Sequence, residues 1–401
     1  MGGVAHVRLL VENGPVKYRP DVDGLRAVAV IAVVAFHAFP SLARGGFVGV
    51  DVFFVISGYL ISGIILGALE QERFSFADFY VRRIRRIFPS LAVVLAASYA
   101  VGWFVLFADD YKQLSRHIAA GVAFVSNFVL WDESGYFDDV GETKPLQHLW
   151  SLGIEEQFYL AWPTLLVLAW RMRVHPLGPA AFLLAASFLL NVKEIRWDLV
   201  GTFYSPFTRL WELLLGAVLS AAAVSRPGWP TGLLQTVQDV VDSRPYVREI
   251  GAWLGIVLIA IAVGILDGGR LFPGLWALLP TVGAFAIIVS GPATWISRNV
   301  LSQPWLVWIG LISYPLYLWH WPLLSFARIV QGETPSVAVR LAAVAVSVIL
   351  AALTYQIVEK PIRFGPRRRF VVPALCTAMV AVLATAVGTY RAGGLFERPI
   401  N

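Results

Sequence analysis

The stretch RPDVDGLRAVAVIAVVAFHAFPSLARGGFVGVDVFFVISG, residues 19–58, decides the fold. It holds two apolar runs, Leu25 to Phe39 and a second starting near Phe47, joined by a turn around Ser41–Gly46. The first run is too apolar for a helix on a water-facing surface, so the pair reads as a transmembrane hairpin. Arg26, His37 and Asp51 are its polar centre. Arg26 and His37 are eleven residues apart. At about 100° per residue they fall within about 20° of one helix face, and at about 1.5 Å rise they are about 16 Å apart, roughly half a bilayer core. Residues equally far from the turn of an antiparallel hairpin share a depth, and Asp51 follows the turn by about as much as His37 precedes it. A His37–Asp51 pair is therefore expected, with Asp51 orienting the imidazole, and Gly45, Gly46 and Gly49 let the two backbones approach closely. Ionisable groups within a membrane are costly, which favours a functional reading. Plainer readings stand beside it: a histidine bonded to a nearby carbonyl, an Arg26 that snorkels to the interface, and an Asp51 that caps the second helix.

The rest of the chain agrees with a membrane. Of 401 residues 58% are hydrophobic and 14% charged, against about 25% charged in soluble domains. Further apolar runs at about 88–107, 153–170, 177–192, 207–224, 250–266, 275–290, 305–327, 336–358 and 371–389 make this an all-α, polytopic integral membrane protein of ten to eleven transmembrane helices. The first twenty residues lack the apolar core and cleavage site of a signal peptide, so Leu25–Phe39 reads as a retained first span. Arg82, Arg83, Arg85 and Arg86 directly precede the third run, which puts that loop and the N-terminus on the cytoplasmic side. On this scheme Lys and Arg favour the inner side by about two to one, with Arg209 and Arg340 inside spans. The net charge of +6 is then a matter of orientation, and no nucleic-acid partner is implied. Residues 108–150 read as an outer region with a re-entrant or interfacial segment near 117–131, rich in aromatic and acidic residues at its end. Cys376 is the single cysteine, which excludes an internal disulfide framework and a cysteine metal cluster. The division expected is a cytoplasmic segment 1–20, a membrane domain 21–365, and an additional helix with an outer stub at 366–401.

Three constellations carry possible chemistry. The run Arg82, Arg83, Arg85, Arg86 suits phosphate oxygens, since guanidinium groups pair with them bidentately; alone it would be a topology signal. With Arg26 at the same face and His37 deeper, the set fits an acyl-coenzyme A donor, its phosphates on the arginines and its thioester near a base. The segment PLQHLWSLGIEEQFYLAWP, 145–163, gathers His148, Trp150, Ser151, Glu155, Glu156 and Tyr159 at the entrance to a span. Carboxylates and aromatic platforms suit a hydroxyl-rich sugar, and Glu156 is a second catalytic candidate. Belt aromatics and acidic residues favouring a helix dipole are the alternative. In SYPLYLWHWP, 313–322, His320 stands between two tryptophans, as a second acid/base or substrate contact or as a belt residue. There is no P-loop, GxSxG, HExxH or other metal-ligand spacing, so no metal is expected.

These motifs, in this order, resemble the integral-membrane domain of the acyltransferase 3 family. The resemblance covers about residues 18–365 and rests on DGLRAVAVIAVVAFH, GGFVGVDVFFVISGYLI, FYVRRIRRIFP, PLQHLWSLGIEEQFYLAWP, SYPLYLWHWP and IVEKPIR. It implies a bacterial inner-membrane enzyme that moves an acyl group, by default acetyl from acetyl-coenzyme A, to a hydroxyl of a cell-surface glycan or lipid-linked sugar. The family O-acylates lipopolysaccharide, peptidoglycan, exopolysaccharide or secondary metabolites. The resemblance further implies that Arg26 and His37 are functional, with His37 the catalytic group, and that Arg83 and Arg86 serve donor binding. Some relatives continue into an extracytoplasmic SGNH-type domain, for which 371–401 looks like the root. A transporter or flippase for an acyl group or glycan precursor, using the same polar groups as a path, is the competing class.

Overall fold

The computed structural model describes residues 18–134, 141–224, 244–267, 269–366, 368–398 and 400. Most of the proposed 1–20 segment lies outside them. The helices are α1 (Pro20–Ala38), α2 (Gly49–Glu70), α3 (Phe76–Val105), α4 (Ala108–Val122), α5 (Ser126–Glu133), α6 (Leu149–Arg171), α7 (Leu177–Glu194) and α8 (Leu199–Tyr204). They continue with α9 (Pro206–Ala222), α10 (Pro245–Ile265), α11 (Leu278–Ser290), α12 (Pro304–Leu311), α13 (Ser313–Gln331), α14 (Val337–Leu353), α15 (Lys360–Phe364) and α16 (Val371–Arg391). No β-strand occurs among the described residues, as expected where lipid leaves the backbone to satisfy its own hydrogen bonds. Local signals set several boundaries. Ser75 accepts from the Asp78 amide to cap α3, Ser205 caps α9 with Pro206 in its first turn, and Ser336 caps α14.

Among the described residues six helical stretches are long and apolar enough to cross a membrane, by length and composition: Gly46–Glu70, Phe76–Val105, Leu177–Glu194, Pro245–Ile265, Val337–Phe364 and Val371–Arg391. The chain is thus an all-α, multi-pass membrane protein. The sequence count of ten to eleven is larger because it includes α1, α6, α9, α11 and α13. Of these, α9 and α11 have only 17 and 13 residues, and α1, α6 and α13 carry polar and ionisable side chains that dilute the apolar signal. The run at 305–327 is two helices, α12 and α13, divided at Ile312.

The chain divides into two compact units, each made of two segments: residues 1–74 with 157–311, and 75–156 with 312–401. In the first unit α1 and α2 form the expected hairpin. A Cβ added at Gly46 or Gly49 would lie 2.2 Å from the carbonyl oxygen of Ala32 or Ala29, so the two backbones touch. Gly45 instead meets α10, its amide donating to Val263 O at 2.9 Å. The closest approach in the unit joins α2 to α9: a Cβ at Gly58 would sit 1.7 Å from Leu213 O, and one at Gly216 1.9 Å from Val55 O. Small residues let membrane helices pack main chain to main chain. Leu25, Val52, Ile56, Ile259, Ile287 and Leu301 fill the adjoining core.

In the second unit α16 is part of the body. Tyr99 Oη and Thr389 Oγ1 share a hydrogen bond of 2.7 Å between α3 and α16, and Arg398 donates to the carbonyls of Trp103 and Leu106, both at 2.9 Å. Those carbonyls end α3, where a cation is favoured. The apolar stretch 117–131 is broken: α4 ends at Val122, Phe124 turns with φ 55°, and α5 starts at Ser126. Tyr111, Leu114, Ile118 and Gly121 form the buried stripe of an amphipathic α4.

Ionic contacts hold α5 to α4. Arg116 reaches Asp132 at 2.7 Å and Glu133 at 3.1 Å, while His117 Nε2 and Lys144 Nζ approach Glu133 at 2.8 and 3.3 Å. Burial disfavours an ionised Glu133, but His117 and Lys144 outweigh it and hold the carboxyl below its ordinary value. A depressed carboxyl contributes stability above the unfolded value, 4.5, and loses it as pH falls through the folded value beneath. Acidification below that point should therefore loosen α5, read as a change in Trp131 fluorescence. Glu133→Gln should remove this transition and cost about 2 kcal/mol at neutral pH; an identical acid transition in that variant would place its origin elsewhere.

Candidate functional site

The second unit assembles most of the polar motif that starts at 145 against α13. Tyr314, Tyr317, Trp321, Ser325 and Arg328 recur at i, i+3, i+7, i+11 and i+14, one stripe about 21 Å long on an otherwise apolar helix. Each meets a partner. Tyr314 Oη donates to Ile87 O at 3.0 Å, Tyr317 Oη to His148 O at 2.8 Å, Trp321 Nε1 to Lys144 O at 2.8 Å and Ser325 Oγ to Glu142 O at 3.0 Å. Arg328 pairs with the Glu142 carboxylate. Residues 142–148 therefore run antiparallel along α13, and this brings His148, Ser151 and His320 together. The rings of His148, Tyr317 and His320 form a near-equilateral triangle, with centroids 5.3, 5.5 and 5.8 Å apart. Ser151 Oγ is 2.6 Å from Tyr317 Oη. Because a carbonyl only accepts, His320 Nδ1 must donate to Leu316 O at 3.2 Å, leaving the lone pair of the neutral ring on Nε2. Trp150 is buried beside this group on α6.

Further along α6, Glu155 and Glu156 meet the arginine motif of α3. Glu156 interacts electrostatically with Arg83 and Arg86, and Tyr314 with Glu155, Glu156, Glu359 and Arg86. Glu156 Oε1 is shielded from solvent and accepts no hydrogen bond from the described residues. Glu359 is buried, accepts from Ser90 Oγ at 3.2 Å and pairs with Arg363 at 3.1 Å. Arg83 also lies over the Phe79 ring, 6.0 Å from its centroid.

One member of the arginine run serves otherwise. Arg85 is buried and donates to the carbonyls of Ile362 at 2.7 Å and Gly365 at 2.9 Å. It ties α3 to the end of α15, which corrects its expected place in donor binding. Arg82 is exposed.

The first unit holds Arg26, His37, Asp51 and Tyr159. Arg26 Nη1 lies 3.5 Å from Asp23 Oδ1, one helical turn earlier. His37 is half-buried in the last turn of α1, and Tyr159 is buried on α6. The expected His37–Asp51 dyad is replaced: Asp51 Oδ1 accepts from Arg209 Nη2 at 3.1 Å, and the other carboxyl beside it is Glu212. Helix geometry gives the reason. Gly49 faces α1, and Asp51, two residues on, points about 200° away, in the stripe with Val55 and Gly58 that packs on α9. Asp51 also stands in the first turn of α2, where a carboxylate favours the helix dipole.

The sequence reading missed Tyr314, Tyr317, Glu359, Arg209 and Glu212. The tyrosines were legible in their spacing from Trp321, and Arg209 with Glu212 as an i, i+3 ion pair inside an apolar run. Among the described residues no three His, Cys, Asp or Glu groups form a metal-holding cluster.

The family model described as an acyltransferase domain matches residues 19–356. The chain is 34% identical over 371 residues to YrhL of Bacillus subtilis (strain 168), provisionally named a peptidoglycan O-acetyltransferase; the alignment covers 88% of this chain and 56% of that protein. It is 33% identical over 359 residues to the peptidoglycan O-acetyltransferase OatA of Listeria monocytogenes serovar 1/2a, covering 86% and 56%. A provisionally named O-acetyltransferase of Staphylococcus aureus (strain MSSA476) is 33% identical over 363 residues, covering 86% and 58%. The chain thus spans a little over half the length of these relatives. No solved structure matches it. Since the matched region takes in the hairpin of α1 and α2, the arginine motif of α3 and the polar stripe of α13, the chain belongs to the acyltransferase 3 family.

Proposed function

We propose that this protein is a membrane-bound O-acetyltransferase that moves an acetyl group from cytoplasmic acetyl-coenzyme A to a glycan hydroxyl on the outer side of the bacterial inner membrane. Peptidoglycan is the acceptor class, as named for OatA. The observation that carries the reading is the meeting, within one unit, of Glu156 with Arg83 and Arg86. Cations suited to donor phosphates lie beside a buried carboxylate oxygen that no described residue occupies, and a hydroxyl is the donor such an oxygen accepts. His148, Ser151, Tyr317 and His320 continue the polar stripe that a sugar would follow. In the reaction the thioester C–S bond breaks and the ester C–O bond forms; a base takes the hydroxyl proton, which is returned to the coenzyme A thiolate. His37 is the catalytic group on the family resemblance, acting as base or as carrier of the acetyl group.

Within this reading α1, α6, α9, α11 and α13 complete a set of about eleven spans, with the N-terminus cytoplasmic. An SGNH-type domain would take the product onward.

Replacing Arg83 and Arg86 together by alanine should weaken coenzyme A binding by roughly 10–100-fold, on the order of 1.5–3 kcal/mol for charge-assisted bonds. The remaining affinity should depend less on salt. Isothermal titration of the purified protein with coenzyme A checks this, and unchanged affinity would return the motif to a topological role.

A further inference from the structure

Arg209, Asp51 and Glu212 lie together in the first unit, each at 0% exposure. Arg209 Nη2 donates to Asp51 Oδ1 at 3.1 Å, and its Nη1 is 3.3 Å from Glu212 Oε1. The guanidinium carbon is 5.7, 5.6 and 5.6 Å from the ring centroids of Phe54, Phe203 and Phe272. Two carboxyl groups therefore share one cation inside an aromatic cage. Hydrogen-bond accounting leaves the group incomplete: Asp51 Oδ2 and both Glu212 oxygens accept nothing from the described residues, yet the two carboxyl groups are hydrogen-bond neighbours.

Two ionised carboxylates beside one arginine carry a surplus negative charge. A charge out of water costs several kcal/mol unless it is paired, roughly the whole stability margin of a domain, so such groups neutralise instead. The titratable groups that interact with either carboxyl are Arg209 and the other carboxyl. Neither side can withdraw, because α2 and α9 are in main-chain contact at Gly58 and Gly216.

We propose that Asp51 and Glu212 are a proton-binding site, holding one proton between facing oxygens as O–H···O⁻ while Arg209 balances the remaining charge. The site needs no acyl donor and stands apart from the proposed reaction. Its proton joins α2 to α9, and its loss sets two carboxylates against each other across that contact.

Infrared difference spectroscopy of the full chain in lipid nanodiscs at pH 7 tests it. The wild type should show a protonated-carboxyl C=O band that Glu212→Gln and Asp51→Asn each remove, because either substitution takes away the surplus charge and the proton together. Each single variant should melt within a few degrees of the wild type, whereas the double variant, which removes both carboxyl partners of Arg209, should melt well below it. Three results would overturn the proposal: no such band in the wild type, which needs no variant to fold; a band that both single variants keep; or a melting temperature that rises with sodium only when both carboxyls are present, which would make the ligand a metal cation.

Discussion

Replacing His37 by alanine should abolish acetyl transfer from labelled acetyl-coenzyme A, a loss of about 10²–10⁴-fold or more, while the protein still inserts and elutes as one species. His37 is half-buried at the end of α1, and the core of the first unit is built from its neighbours Val30, Val33, Val34 and Ala38. Truncating the imidazole therefore opens no central cavity, and the deficit should fall on chemistry instead of folding. Transfer by the variant at the wild-type rate would remove His37 from the mechanism.

The second large effect is expected on stability. Gly58→Ala or Gly216→Ala places a methyl group 1.7 or 1.9 Å from a carbonyl oxygen of the facing helix, and a backbone atom inside a packed pair cannot swing aside. Overpacking of this kind costs about 1–3 kcal/mol and more where main chain must move. Gly178→Ala is the control, since nothing lies within 4 Å of the added atom, and it should be neutral or slightly stabilising. Thermal unfolding in detergent separates the two cases; equal melting temperatures for Gly216→Ala and Gly178→Ala would mean that α2 and α9 can part without penalty.

The hairpin of α1 and α2 was legible because its signals are local: a long apolar run, a turn, and glycines whose spacing matches one helix face. Gly46 and Gly49 do lie on α1. Depth in a hairpin fixes only one coordinate of Asp51; its angle relative to Gly49, two residues earlier, turns it from α1 towards Arg209. Its partner Arg209 is 158 residues away, and no local pattern names a partner at that distance. Arg209 was visible as a charge within an apolar run, and two such charges in separate spans are each other's most economical neighbours; that rule would have joined Asp51 to Arg209. The 145–163 motif was legible as chemistry but not as geometry. Its antiparallel course along α13 follows from tyrosine, tryptophan and serine side chains donating to its backbone carbonyls, and backbone acceptors leave no mark on sequence. Arg85 was indistinguishable from Arg83 and Arg86 in the run, and only the carbonyls at the end of α15 single it out.

The division of each unit into two segments bears on how the protein is made. Residues 157–311 are synthesised after α3, α4 and α5 and before α13, and at about 5–20 residues per second that interval lasts roughly 8–30 s. During it the carbonyls of Lys144 and His148 have no tryptophan or tyrosine to receive, since Trp321 and Tyr317 are not yet translated. The polar stretch must wait at the translocon or under the care of an insertase, and a ribosome stalled before residue 312 would leave the second unit without half of its walls.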